Sequence, residues 1–422
     1  MSNVEDLKLA EDFLFLFDNT LNDDSKAQIK IILKTPLDSI EAIKNRQLAL
    51  KEILNSGLHH YYTYHKTDYS EVFYFLNLMD SQYFKNVDFL TYQFQKKANN
   101  RLIGHYIQLS YFFESIDKIF TTCVDIHKYP SSYQQDLQFI IQYIRSFQFQ
   151  KFKKHIAKGK VSFSAIQFLN NLVIEKRKNE RTAQFCSVWN RFEAYISLAS
   201  VMQRRGFEFP EVGSNRIVVK EMYHPLLPNP IKNHVEVNST LMLLTGANMS
   251  GKSTFLKALG IVVYFAHLGL PVPATEAKLP YYDFISIHIN HSDDIKNGLS
   301  HFMQEIVNMK EVLQKLQDGK RCFALFDELY KGTNYEDAIQ ISSLTIAGLR
   351  HFTESNILIS THLYALKSQF ENTPNISAYH LDCVIENNLP KFTYMLKEGW
   401  TDLKIGELLF EREGLKKLLE NK

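Results

Sequence analysis

Cysteine is nearly missing from this chain. The 422 residues hold four, Cys123, Cys186, Cys322 and Cys383, far apart and without a C-x-x-C pair. That speaks against a disulfide framework or a zinc site and fits a reducing, cytoplasmic setting. An excess of either charge is missing too. Lysine and arginine number 48, aspartate and glutamate 46, and the net charge is +2. Whole-chain charge therefore makes no case for nucleic acid or a membrane surface. The N-terminal Met1-Ser2-Asn3-Val4-Glu5-Asp6 is acidic and lacks the basic region of a signal peptide. No apolar run is long enough to cross a bilayer. The longest, Ile261 to Ala274, is interrupted by His267, Pro271 and Pro273, and reads as a core helix ending near Gly269.

Glycine is scarce up to residue 205, and no alternating strand pattern appears there. This stretch is expected to be all-helical. Glu5–Phe17 and Asp24–Leu33 read as amphipathic helices, the second capped by Asp24 or Ser25. Pro36 stops a helix and Asp38 or Ser39 caps the next. Aromatic-rich segments follow at Tyr69–Phe84 and Tyr106–Phe120. Ser131–Lys158 reads as one long helix and Phe163–Met202 as another. In the latter, Phe185, Val188, Phe192, Tyr195, Leu198 and Met202 keep the spacing of one buried stripe. Two basic clusters, Lys151 to Lys160 and Lys176 to Arg181, read as solvated faces, with phosphate contact the alternative.

Composition changes around Arg204-Arg205-Gly206 and Pro210 to Gly213. The division is placed there, giving domains 1–205 and 206–422. Beyond it, short apolar runs alternate with helical stretches, the rhythm of a parallel sheet covered by helices. The fold class is thus α+β multidomain: a helical domain, then an α/β domain. Ile376–Ile385 and Lys391–Lys397, around Asn387-Asn388, read as an added antiparallel hairpin.

The second half is organised around Gly246-Ala247-Asn248-Met249-Ser250-Gly251-Lys252-Ser253-Thr254. This fits G-x-x-x-x-G-K-[ST], a phosphate-binding loop, and it follows the apolar Leu241–Leu244 and opens a helical pattern. Backbone N–H groups and the helix N-terminus favour an anion there. Lys252 is expected to reach the β- and γ-phosphates of ATP, and Ser253 to ligate Mg²⁺. Phe323–Phe326 is an apolar run ending in Asp327-Glu328. Asp327 can hold Mg²⁺ beside Ser253, and Glu328 can orient or deprotonate the attacking water. His362, at the end of the next such run, is placed as a sensor of the γ-phosphate.

Together with Thr245, the loop resembles T-G-x-N-M-x-G-K-S-T of the MutS family of DNA mismatch repair ATPases. Other similar pieces follow in family order. His224-Pro225 lies ahead of the loop; Gly269 and Val272-Pro273-Ala274 lie after it. Asp293-Asp294 with Gly298, Ser300 and Phe302 resembles D-D-x-x-x-G-x-S-x-F. Asp327-Glu328, Gly332-Thr333 and Asp337 resemble D-E-x-x-x-G-T and its following Asp, and Thr361-His362 the T-H switch. The resemblance covers the C-terminal half and reaches weakly upstream, at Pro36-Leu37, Ile43, Arg46-Gln47 and Phe209-Pro210-Glu211. It implies a helical core and lever ahead of an ABC-like P-loop NTPase domain. It also implies that Ser300, with Gly298, completes a partner subunit's ATP site in trans, and that Ile231 and Asn233 lie on the adenine side. Leu396 stands where some members carry a His beside the adenine, a departure from the pattern.

Mismatch-reading members carry an N-terminal domain with a Phe-x-Glu wedge. This sequence begins almost at the helical core, so no such reader or connector is expected. Phe112-Phe113-Glu114 lies in a helical run and reads as core. The family's C-terminal dimerisation segment is expected to be reduced to Gly406–Leu419. The expected function is an ATP-hydrolysing, ATP-gated homodimer on double-stranded or branched DNA, in mismatch repair or related DNA maintenance, with other repair proteins as possible partners. The alternatives are a paralogue-like role on branched DNA or ribosomes, and a nucleotide-gated module that closes on a protein partner.

Overall fold

A computed structural model describes residues 3–77, 96–157, 161–289, 301–386, 389–401 and 405–420. The chain forms two compact units. One comprises Leu14–Lys34 and Asn45–Arg204; the other comprises Met1–Phe13, Thr35–Lys44 and Arg205–Lys422. The sequence reading assigns residues 1–13 and 35–44 to the helical domain, whereas here they pack with the C-terminal unit.

The first unit is helical: α1 (Leu14–Phe17), α2 (Asp23–Lys34), α3 (Ile40–Asn55, within which the division falls), α4 (Leu58–Tyr61), α5 (Lys66–Asn77), α6 (Lys96–Cys123), α7 (Ser131–Ser146), α8 (Phe149–Ala157), α9 (Phe163–Lys178) and α10 (Arg181–Arg204). Helix α10 is the axis of the unit, packed against α1, α2, α4, α5, α7 and α9. The expected stripe on it is buried, but so are Trp189, Asn190, Glu193 and the whole run Ala194–Met202. A helix enclosed on all sides loses the single-face pattern.

Both long helices expected from the sequence are broken. Gln148 (φ 49°) separates α7 from α8, and Glu180 (φ 56°) separates α9 from α10. Left-handed residues are costly outside glycine, and packing decides the issue. The turn at Gln148 lets Phe147 and Phe149 both enter the core. Helix α2 is capped by Asn22, whose Oδ1 accepts the Ser25 N–H at 2.7 Å, rather than by Asp24 or Ser25. Ser39 caps α3 through the Ala42 N–H at 3.2 Å. The expected helix Glu5–Phe17 is instead a tight turn at Glu5–Leu7, a left-handed Lys8, a wide turn at Leu9–Phe13 and the short α1.

The basic clusters are partly structural. Lys176 is buried with its ammonium 4.6 Å from the centre of the Tyr143 ring. Arg177 donates to the Phe75 and Leu76 carbonyls at the end of α5. Lys153 pairs with Glu114 and sits over Tyr111; Lys158 and Lys160 lie outside the described residues. Phe112 and Phe113 are core residues of α6.

The second unit holds β1 (Glu211–Val212), β2 (Ile217–Met222), β3 (Asn233–Val237), β4 (Leu241–Thr245), α11 (Lys252–His267), β5 (Glu276–Leu279), β6 (Phe284–His288), α12 (His301–Gln317), β7 (Cys322–Phe326), α13 (Tyr335–Leu349), β8 (Asn356–Ser360), α14 (Leu366–Phe370), β9 (Ile376–Glu386) and β10 (Leu389–Glu398), followed by α15 (Gly406–Arg412) and α16 (Leu415–Glu420). The main sheet runs β10-β9-β4-β8-β7-β6. It is parallel except that β10 returns antiparallel to β9. A second sheet, β1-β5-β2-β3, was only partly visible in the sequence.

Strands β4, β7 and β8 are buried along their whole length, which is why they read as unbroken apolar runs. Met309, Val312 and Leu316 of α12, Ile346 and Leu349 of α13, and Leu366 and Phe370 of α14 share one core with β4, β7 and β8. Gly260 of α11 faces Ile287, Leu325 and Leu7, and a Cβ there would come within 3.0 to 3.4 Å of their methyl carbons.

Candidate nucleotide site

The loop between β4 and α11 is shaped by its backbone. Gly246 has φ 144°, and a Cβ there would lie 2.8 Å from Ser250 Oγ. Gly251 has φ 94° and precedes α11 with no side chain to cap it. The first N–H groups of a helix need a partner, and here an anion can supply it. Ser250 Oγ points the same way: it is buried and has no hydrogen-bond partner. Lys252 is buried, and its Nζ donates to Gly246 O (3.0 Å) and Ala247 O (3.2 Å). Burial pushes its pKa down, opposed by the nearby Glu328 and Asp327. Asn248, Met249, Ser253 and Thr254 are exposed around the loop.

The acids sit at the C-terminal end of β7. Buried Asp327 accepts from the Ser253 hydroxyl on one oxygen and from the Ser360 hydroxyl on the other. Its N–H donates to His288 O at 2.9 Å. Glu328 takes a left-handed φ of 53°, and its N–H donates to Ser360 Oγ at 2.8 Å. Its carboxylate meets His362 Nε2 at 2.5 Å on one oxygen and Lys331 on the other. The His362 contact, with help from Lys331 and against burial, pulls the Glu328 pKa down to about 2.

The structure thus brings Lys252, Ser253, Asp327, Glu328 and His362 together. Gly298, Ser300 and the loop from Asp293 lie outside the described residues, as do Asn387 and Asn388. Gly332 packs flush on Phe302, where a Cβ would come within 2.9 Å of the Phe302 Cβ. Asp337 lies in the first turn of α13, and its N–H is capped by Asn334 at 2.9 Å.

A cavity of about 520 Å³ opens beside the loop, lined among others by His224, Ile231, Ser250, Gly251, Phe392 and Tyr394. Ile231 is half-exposed there. Leu396 is not among the lining residues; the aromatics there are Tyr223, Phe255, Phe392 and Tyr394. Tyr394 (φ 58°) sits at a register shift in β10, between Phe392 and Leu396. Asn233 holds this bulge, donating to Tyr394 O (3.0 Å) and accepting the Leu396 N–H (2.7 Å). The register shift breaks the strict alternation of the strand, so sequence spacing alone did not point to Tyr394. Burial drops the His224 pKa to about 4, so its ring is neutral. Glu305 of α12, also missed, has its pKa pushed up to about 7 by burial, with the Tyr330 backbone opposing and Glu328 adding to the rise.

Strand, loop, helix and acid pair define a P-loop NTPase domain. Residues 242–411 match the family model described as MutS domain V, and the chain is similar to MutS proteins over half to three-quarters of its length. It is 32% identical over 219 residues to the DNA mismatch repair protein MutS of Acholeplasma laidlawii, covering 51% of this chain and 26% of the relative. It is 30% identical over 237 residues to MutS of Shouchella clausii, covering 54% and 27%. It is 26% identical over 325 residues to MutS of Lysinibacillus sphaericus, covering 74% and 36%. The chain therefore spans about a quarter to a third of the length of these relatives. Among the described residues, no helix is long and apolar enough to cross a membrane.

Proposed function

We propose that this protein binds and hydrolyses ATP with Mg²⁺, and that it works as an ATP-gated homodimer on DNA in mismatch repair or a related maintenance process. The observation that carries the catalytic part is the pairing of Ser253 with Asp327, and of Glu328 with His362, around a loop whose buried Ser250 hydroxyl has no partner. A free serine hydroxyl, an uncapped helix N-terminus and a lysine resting on loop carbonyls suit a polyphosphate. The Ser253 hydroxyl and Asp327 carboxylate are hard oxygen donors suited to Mg²⁺. When bound, the ion neutralises phosphate charge.

Lys252 exchanges its loop carbonyls for phosphate oxygens. Phe392 and Tyr394 offer ring faces to the base, with Ile231 at the rim. Glu328 is ionised at any working pH, yet as held it is a weak base. It gains proton affinity when Lys331 and His362 turn away, and it then takes the proton of the water that attacks the γ-phosphorus. The bond to the bridging oxygen breaks, and its electron pair leaves with ADP. The resting contacts thus hold hydrolysis back until His362 turns to the γ-phosphate, so losing His362 removes that sensor as well as the contact. DNA as target rests on what the relatives' names say they act on, and the trans role of Ser300 and Gly298 on the family resemblance.

The test is ATP turnover. Lys252→Ala is expected to lose it, and wild-type turnover in that variant would overturn the reading. Mixing Lys252→Ala with Ser300→Ala should restore part of the rate if the site is shared. DNA binding that weakens steeply with salt supports the DNA target; no binding with or without ATP overturns it.

A further inference from the structure

We infer that the N-terminal segment is a working part of the ATPase sheet, and that Asp6 is a positioning residue for Asp327. This rests on the hydrolytic reading above.

Strand β6 ends the described sheet order. Its outer backbone groups need partners, because a bare edge strand invites other chains. Asn3 supplies them. Its N–H donates to Ile285 O and its carbonyl accepts the Ile287 N–H, both at 2.8 Å, in a parallel bridge with Ser286. Three residues on, Asp6 Oδ2 accepts the Ile289 N–H at 2.7 Å. Leu7, Leu9 and Phe13 then bury their side chains, with Leu7 facing Gly260 of α11 and Phe13 edge-on to Phe265 at 6.1 Å. The segment is fixed at both ends.

Its effect reaches the acids through the end of β6. His288 O accepts the Asp327 N–H at 2.9 Å. The His288 ring stacks on Phe326 at 5.1 Å and meets Ser286 Oγ at 2.7 Å. Asp6 thus holds the amide of residue 289, and residue 288 holds the amide of the Mg²⁺-site aspartate. Ligands of parallel sheets sit at the carboxyl ends of strands, so the segment braces β6 at its functional end. Asp6 touches neither nucleotide nor metal; it acts through His288 and Ile289.

The experiment compares Asp6→Ala and Asp6→Asn in the full chain. Asparagine keeps an acceptor oxygen, whereas alanine does not. Small misplacements of catalytic groups cost up to about 10²-fold in rate. Asp6→Ala should lower kcat about tenfold with KM for ATP nearly unchanged, and Asp6→Asn should restore it. Amide hydrogen exchange gives an answer independent of turnover. Asp6→Ala should speed exchange at Ile289 and Asp327 while leaving Leu243 of β4 unchanged. If Asp6→Ala does not fold, Asp6→Gly, which also lacks a side-chain acceptor, replaces it. Unchanged exchange at Asp327, or a normal kcat in an active protein, overturns the inference. A wild-type chain that fails to hydrolyse ATP but shows the exchange coupling would sink the hydrolytic reading and leave the brace standing.

Discussion

Helices α10 and α11 are both enclosed by protein, yet they treat polar groups in opposite ways. On α10, the buried Glu193, Asn190 and Ser197 all find partners within the unit, with the Trp189 indole N–H the exception. Glu193 accepts from the Leu21 N–H and from the hydroxyls of Tyr62 and Tyr64. Asn190 accepts from Ser25 and Tyr69, and Ser197 bridges Asn19 and Phe17. At the start of α11, Ser250 Oγ has no partner and Lys252 leans on carbonyls of its own loop. A satisfied buried network specifies structure; an unsatisfied one marks where a ligand belongs. The comparison separates a group that supports the fold from one that waits for chemistry.

Substitution can break this contrast. The largest effect is expected at Glu328. Glu328→Gln should bind ATP and hydrolyse it about 10²–10⁴-fold more slowly, the usual cost of losing a positioned base. His362→Ala should slow it less. Single-turnover rates check both, and a wild-type rate in Glu328→Gln would remove its role. Next comes Glu193→Leu, which strands the Tyr62, Tyr64 and Leu21 donors. It should cost about 3 kcal/mol of stability in urea unfolding, since each orphaned group carries roughly 1–3 kcal/mol. It should leave ATP affinity per folded molecule intact. A normal midpoint would show that the α10 network is not structural.

Tyr394→Ala should weaken ADP binding by about 1 kcal/mol, near the value of an aromatic contact. Titration calorimetry reads this, and unchanged affinity would move the base elsewhere in the cavity. The smallest effect is a pH slope from Glu305. Its folded pKa of about 7 lies above the ordinary 4.5, so the fold binds the extra proton. Its contribution to stability should be intact near pH 4.5 and lost as pH rises through 7. Glu305→Gln should flatten that part of the curve and be the more stable protein at pH 8. Parallel slopes for the two would exclude a buried, titrating Glu305.

The sequence carried most of the α/β fold, for local reasons. β4, β7 and β8 are buried on both faces, so each appears as an apolar run ending in the residues of the site. Ser253, Asp327, Glu328 and His362 were legible because each directly follows such a run or the loop. What escaped was decided by packing at a distance. Nothing near Gln148 announces a left-handed residue; the demand to bury Phe147 and Phe149 imposes it. Tyr394 was hidden behind the expectation for Leu396, because a bulge shifts which side chain meets the cavity. Asn3 and Asp6 could not be read at all, since their partners lie in β6 and just beyond it.

That separation bears on how the protein is made. Asp6 and Ile289 are 283 positions apart, so the residues that brace the edge of the sheet are synthesised long before the strand they brace. The whole helical unit emerges between them and can collapse on its own local contacts. Closing so long a loop is slow compared with forming helices, and until it closes the outer edge of β6 is bare. Docking of Asn3 and Asp6 on β6 is then a long-range step in maturation of the main sheet, and until it occurs the outer edge of β6 is exposed.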